Sequence, residues 1–301
     1  MSMKNKFIDL HCHSKFSDGD KNIEQLIELF RHTNTKFAAI TDHDDLKSIK
    51  KLLKLNVEDI VFIPGVELST VYYDKTGKDY YIHILGYGID HNYEPLKQEM
   101  LRFRQNRYEN NLQLLAKIEK SGTIIPQCIY EQVRLENYNS IISEFKKCLK
   151  KNNFDNEFIS SFTQTAKTFL PEYEDYEMNV FKAINLIREA GGVPVLAHPQ
   201  KIKFTEEQLF YFIKKAKNKG LMGIEVFYSE FDESIIFYNE SLAEYFGLLK
   251  SVGSDFHIID EDNKLPGLGI NYNLCKTECS LLNYLLEHKL VLNPNLITTQ
   301  E

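Results

Sequence analysis

Seven short runs of β-forming residues, most of them meeting a His, Asp or Glu, constrain this chain more than any other feature. They read "FIDLHC" (7–12), "FAAIT" (37–41), "VFIPGVEL" (61–68), "YIHILGY" (81–87), "VPVLAH" (193–198), "GIEVF" (223–227) and "KSVGSD" (250–255). Amphipathic stretches lie between them, such as "IEQLIELFRHT" (23–33) and "EEQLFYFIKKAKNKG" (206–220). The second has lysines in its last turns and ends on Gly220, as a helix C-terminus does. Alternating strands and helices predict an α/β fold with a parallel sheet and crossover helices, either a barrel or an open doubly wound sheet. Neither GxGxxG nor GxxxxGK[ST] follows any of these runs, so the nucleotide-binding folds lose support. The alternation breaks between 92 and 180, where "YEPLKQEMLRFRQNRYENNLQLLAKIEKSG" reads as one long helix and "SIISEFKKCLKK" as another. The expected organisation is a frame of 1–91 and 181–301 with an inserted helical subdomain at 92–180.

His11 and His13 stand two apart at the end of the first run, so both side chains project to one face while Cys12 points to the other. "SDGD" follows, with Asp18. The second run leads to "TDHDD" and His43, and the third contains "GVELS" with Glu67. The fourth carries His83, the fifth ends on His198, and the seventh leads into "SDFH" with Asp255 and His257. Six of the nine histidines are thus near predicted strands, whereas His32, His91 and His288 read as ordinary surface or partly buried residues. In barrel enzymes the chemistry-bearing groups come from the C-terminal ends of strands. Imidazole suits Zn, Fe and Mn, and carboxylates bridge such ions. Nine candidates exceed what one tetrahedral ion takes and suffice for two or three.

Composition narrows the setting. A net charge of −7 lacks the basic field of a non-specific nucleic-acid binder, so no stable nucleic-acid binding is expected. No stretch approaches the ~18–20 apolar residues of a membrane span, and the apolar run after "MSMKNK" is too short for a secretory signal. Five cysteines without CxxC spacing fit a reducing cytoplasm.

The motifs D-x-H-x-H, S-D-G, T-D-H-D, G-V-E-L-S, A-H-P and G-S-D-F-H, in this order, resemble those of the polymerase and histidinol phosphatase (PHP) superfamily. The likeness is greatest to its stand-alone metal-dependent phosphoesterases, which include nucleotide and nucleoside-bisphosphate phosphatases. It spans about 1–91 and 181–275. The resemblance implies a distorted (β/α)7 barrel and two to three divalent transition-metal ions of Mn, Fe or Zn type. It implies one ion on His11, His13, Glu67 and Asp255, and a second on Glu67, His83 and His198. A third falls to Asp18, His43 and His257. An Arg–Pro–His-like stretch that shapes the pocket of nucleotide-cleaving relatives is missing. The corresponding place reads "YEQVRLENYNSIISEFKK", with Arg134 and no His.

The expected reaction is attack of a metal-bridged hydroxide on the phosphorus of a small phosphorylated metabolite, such as a nucleotide or nucleoside bisphosphate. Leaving-group protonation could fall to His257, Asp255 or a metal-bound water. Cys12 should face away from the site, and no G-x-S-x-G elbow offers a serine nucleophile. Asp9 could orient a ligand or merely end a strand. Three of the six arginines lie in "RFRQNR"; Arg104 and Arg107 share a helix face and, with Arg134, are candidates for substrate phosphate. A solvated face balancing Glu99 and Glu109 is the plainer account of them. Amidohydrolase-like cleavage of an amide or ester, and a non-catalytic metal-binding PHP module, are the competing functions.

Overall fold

The computed structural model describes residues 7–133, 141–169, 178–259 and 279–296. The chain divides into two compact units, one of Met1–Lys97 with Met178–Glu301 and the other of Gln98–Glu177.

Among the described residues the first unit holds nine strands: β1 (Phe7–Asp9), β2 (Thr35–Ala38), β3 (Val61–Phe62), β4 (Gly65–Tyr73), β5 (Asp79–Tyr87), β6 (Met178–Asn179), β7 (Val193–Leu196), β8 (Gly223–Tyr228) and β9 (Leu249–Gly253). They form a parallel sheet β1-β2-β3 and a mixed sheet β6-β4-β5-β7-β8-β9. Backbone contacts join the two. Leu10 N–H donates to Val252 O at 3.1 Å and Asp255 N–H to His11 O at 2.7 Å, which ties β1 to β9. On the other side Asp44 N–H donates to Glu67 O at 3.0 Å and Glu67 N–H to Asp42 O at 3.2 Å, which ties the end of β2 to β4. A ring of seven strands (β1, β2, β4, β5, β7, β8, β9) results, with β3 and β6 as short additions.

Two sequence expectations need correction. The run 61–68 is two strands, because Pro64 has no N–H for a ladder and the chain breaks there between β3 and β4. Nor is the sheet wholly parallel: β4 and β5 form an antiparallel hairpin, and β5 is also antiparallel to β7. The hairpin turn is built on Asp74, whose Oδ1 accepts from the backbone N–H of Thr76 at 2.7 Å and of Lys78 at 3.1 Å. Gly77 there takes a φ of 84°, which favours glycine.

Helices α1 (Ile23–His32) and α2 (Lys47–Leu55) follow β1 and β2. α1 is started by a reciprocal cap between Asn22 and Gln25, and Leu26, Ile27 and Phe30 pack with Ile40, Leu52, Phe62 and Cys12. The second unit contains most of α3 (Glu94–Lys120), then α4 (Gln127–Tyr130), α5 (Ile141–Lys151) and α6 (Asn156–Thr168). Leu114, Ile118, Phe145, Leu149 and Phe162 form a core of its own. Back in the first unit, α7 (Val180–Glu189) covers β4, β5 and β7. α8 (Glu206–Asn218) begins at a Thr205/Gln208 capping box and packs against α9 (Glu233–Phe246), which lies on β8 and β9. α10 (Ser280–Glu287) packs on β9. Among the described residues no helix is long and apolar enough to cross a membrane.

Candidate metal centre

Glu67 is the hub of the site. It lies in β4, fully buried, and five imidazoles surround its carboxylate. Oε2 lies 3.2 Å from His11 Nε2, 3.1 Å from His13 Nε2 and 3.3 Å from His43 Nδ1. Oε1 lies 3.0 Å from both His83 Nδ1 and His198 Nε2. A carboxylate has about four lone-pair positions, so five ring nitrogens cannot all be satisfied by it. Indeed His13 Nε2 and His43 Nδ1 are buried and make no hydrogen bond. Buried ring nitrogens without a hydrogen partner, converging on a shared carboxylate, fit a donor set for divalent cations.

The remaining groups close around this hub. Asp255 Oδ1 is 3.3 Å from His11 Nε2 and 3.1 Å from His13 Nε2. Asp18, in the loop after His13, places Oδ1 3.5 Å from His13 Nδ1 and Oδ2 3.1 Å from His257 Nε2. Three sets of candidate ligand atoms emerge: His11, His13, Glu67 and Asp255; His43, Glu67 and His83; and His13, Asp18, His43 and His257. Eight of the nine residues singled out in the sequence fall in these sets, and the ninth, His198, reaches the hub through Glu67 Oε1. The grouping is more shared than expected, since His43 belongs to two sets and His13 to two.

Local structure explains the convergence. The backbone stays extended past β1, pairing Cys12 with Phe256, so His11 and His13 face the site while Cys12 enters the core. Asp9, buried at the end of β1, links that strand to the loop after β9. Its Oδ1 accepts from Ser254 N–H at 3.0 Å and His11 N–H at 3.2 Å, and its Oδ2 from Ser254 Oγ at 2.6 Å, which binds β1 to the loop carrying Asp255. His83 reaches Glu67 from the middle of β5, a strand that runs opposite to its neighbours. The turns that aim the ligands are strained: Asp44, His198 and Asp255 adopt φ of 49°, 25° and 54°, a region costly for residues with a Cβ. Gly253 is required by the closeness of β1, since a Cβ there would lie 2.1 Å from His11 Cβ and 2.7 Å from Glu225 Oε1.

Charge follows from this packing. Burial opposes ionisation of Glu67, but the imidazoles of His43, His11 and His83 outweigh it and hold the carboxyl well below its usual range. Asp255 and Asp18 are lowered in the same way, against burial, chiefly by His11 and His13 for the first and His43 and His257 for the second. Burial works against a charged His13, yet its close contacts with the carboxylates of Asp255 and Glu67 push it up to about 10. His43 is driven down to about 3, by burial first and by the neighbouring His13 and His83.

Sequence reading missed Glu225. It is fully buried on β8, inside a run that looks like any sheet interior. Its Oε1 lies 3.0 Å from His11 Nδ1 and its Oε2 accepts from the backbone N–H of His198 at 2.7 Å. The arginine expectations fare differently. Arg104 and Arg107 are on α3 in the second unit, where Arg107 lies over the Phe103 ring, and Arg134 is outside the described residues. Arg102 pairs with Glu99 at 2.5 Å. A cavity of about 330 Å³ opens onto His43, Glu67, His83, His198, Asp255 and His257, and Tyr81, Lys201 and Ile202 complete its described lining.

The PHP domain model matches residues 9–161. The chain belongs to the PHP family. A 3',5'-nucleoside bisphosphate phosphatase from Chromobacterium violaceum is 27% identical over 264 residues, covering 86% of this chain and 90% of that protein. The 5'-3' exoribonuclease Rnm of Escherichia coli is 28% identical over 258 residues, covering 83% and 84% respectively. A solved structure, described as an amidohydrolase from Chromobacterium violaceum with bound sulfate and no metal, superposes with a TM-score of 0.70 at 26% identity. It covers 86% of this chain and 90% of its own. The sequence reading of a metal-dependent phosphoric ester hydrolase on an α/β PHP barrel stands.

Proposed function

We propose that this protein removes a phosphate from a small phosphorylated metabolite of nucleotide size, with a nucleoside bisphosphate as the first substrate to test, and does so in the cytoplasm with three divalent transition-metal ions. The observation that carries this reading is the division of five imidazoles between the two oxygens of Glu67. One oxygen faces His11, His13 and His43 and the other His83 and His198, which suits a carboxylate shared between two ions. His11, His13, Glu67 and Asp255 would hold the first ion; Glu67, His83 and His198 the second; and Asp18, His43 and His257 the third. When bound, such ions activate water near neutral pH and neutralise charge on a phosphoryl group. The chain's own groups orient and exclude. Glu225 and Asp9 fix the strand ends from behind, and the cavity of about 330 Å³ admits a small molecule to the ligand face. His257 lines the cavity at 31% side-chain exposure, and the contact of its Nδ1 with Asp255 O at 2.8 Å turns Nε2 toward Asp18 and the third set of donors. The substrate class rests on the bisphosphate phosphatase relative. The exoribonuclease relative makes a 5'-phosphorylated RNA end the first competitor.

The test is a panel on metal-replete protein: nucleoside 3',5'-bisphosphates, 5'-phosphorylated oligoribonucleotides, and amides or lactones. Phosphate release from the bisphosphates, with more than one transition-metal ion per chain by elemental analysis, is the expected result. Turnover of an amide with no phosphate release, or full activity in excess chelator with no metal present, would overturn the proposal.

A further inference from the structure

Lys201 contributes a positive charge to the cavity, and it is the one Lys or Arg among its described lining residues. It lies three positions after His198, in a short helical turn (Pro199–Lys201) that the flanking residues hold in place. The side-chain amides of Gln200 and the buried Asn239 bond reciprocally at 2.8 and 2.9 Å, fixing the turn on α9, and Ile202 is buried. The Lys201 side chain nevertheless stays 43% exposed. Its Nζ lies 3.2 Å from Asp255 Oδ2, the oxygen turned away from His11 and His13, and it also contacts the Tyr228 hydroxyl. Tyr228 is itself buried and donates to that same Oδ2 at 2.7 Å. Asp255 is therefore already steadied by the Tyr228 hydroxyl, while the ammonium is on a flexible stem that also lies 3.8 Å from the exposed Glu230 Oε2.

We infer that Lys201 is the residue that receives the substrate's phosphoryl oxygens, and that it sets the site's preference for a phosphate dianion. This rests on the phosphoesterase reading above. With ions bound, the carboxylates of Glu67 and Asp255 would be offset, and Lys201 would add the protein's own positive charge at the cavity wall. An ammonium in contact with a ligand carboxylate is placed to meet an oxyanion brought to that carboxylate's ion, and lysine serves phosphate as a compact point charge. The plainer account, an ion pair kept for stability, is weak for a lysine this exposed, because such pairs contribute little.

The experiment measures binding of inorganic phosphate by calorimetry to metal-loaded wild type, Lys201→Met, Lys201→Arg and Tyr228→Phe, with the metal content of each determined in parallel. Lys201→Met should weaken phosphate binding about ten- to a hundredfold, the loss of one charge-assisted hydrogen bond, and raise KM for the substrate, at unchanged metal content. Lys201→Arg should recover most of the affinity. Unchanged phosphate affinity in Lys201→Met overturns the assignment. So does a loss of metal ions that Tyr228→Phe reproduces, because Lys201 would then act only through Asp255. Absence of any ester turnover by wild type overturns the activity itself and is seen separately from the phosphate-binding comparison.

Discussion

Glu225→Gln should loosen the ion held by His11 about ten- to a hundredfold without unfolding the barrel. The structure fixes why. His11 Nδ1 lies 3.0 Å from Glu225 Oε1, and the second carboxylate oxygen takes the His198 backbone N–H at 2.7 Å. Both partners of the first contact have no exposure. A carboxylate there keeps the proton on Nδ1, which leaves the Nε2 lone pair facing Glu67 and Asp255. Glutamine can offer an oxygen to only one of the two donors. If it faces His198, its NH2 meets Nδ1–H, and His11 must shift its proton to Nε2, the ligating atom. If it faces His11, its NH2 meets the His198 N–H at a backbone already strained at φ 25°. Either arrangement leaves a buried donor unsatisfied, at about 1–3 kcal/mol, which brackets a tenfold and a hundredfold change in affinity. Competitive titration of metal-free protein with zinc against a chromophoric chelator reads the affinity, and circular dichroism verifies the fold. Glu225→Gln protein that binds every ion within twofold of wild type would refute the reasoning.

His11→Ala, Glu67→Ala and Asp255→Ala should each abolish hydrolysis with the fold retained, and Glu67→Ala should remove more than one ion by elemental analysis because five imidazoles converge on it. Full activity of any one in metal-replete form would remove that residue from the site. Metal uptake at pH 7 should release protons, and affinity should rise with pH toward about 10, because metal-free His13 is pushed up to about 10 and His11 is raised by Glu67, Glu225 and Asp255 against burial. Calorimetry in buffers of different protonation enthalpy counts those protons, and a count of zero contradicts the charge assignment. Arg104→Ala with Arg107→Ala should raise KM for the physiological substrate if these arginines contact it, by ~1.5–3 kcal/mol in kcat/KM, and leave a small generic ester unaffected. Identical kinetics on both esters would assign them to the solvated helix face.

The set of candidate metal-binding residues was legible in the chain itself because its signal is local. A β-forming run that meets His, Asp or Glu places a metal-binding side chain at a strand end wherever the strand falls in the sheet, and period-two alternation sends Cys12 inward and His11 and His13 outward. Helix caps such as Asn22 with Gln25 are local in the same sense. Strand direction is not. The turn "DKTGKD" (74–79) between two β-runs was available as a hairpin signal, but the reversal of β5 between β4 and β7 depends on which strands meet it. The roles of Glu225 and Lys201 depend wholly on tertiary contacts. Glu225 meets His11 across 214 positions of sequence, and Lys201 meets Asp255 across 54. Within its own run each has only the neighbours of an ordinary strand or turn. Residue type could say which side chains are able to bind a cation; ring closure between β9 and β1 decided which of them share one, and which carboxylate stands behind the imidazole rather than in front of it.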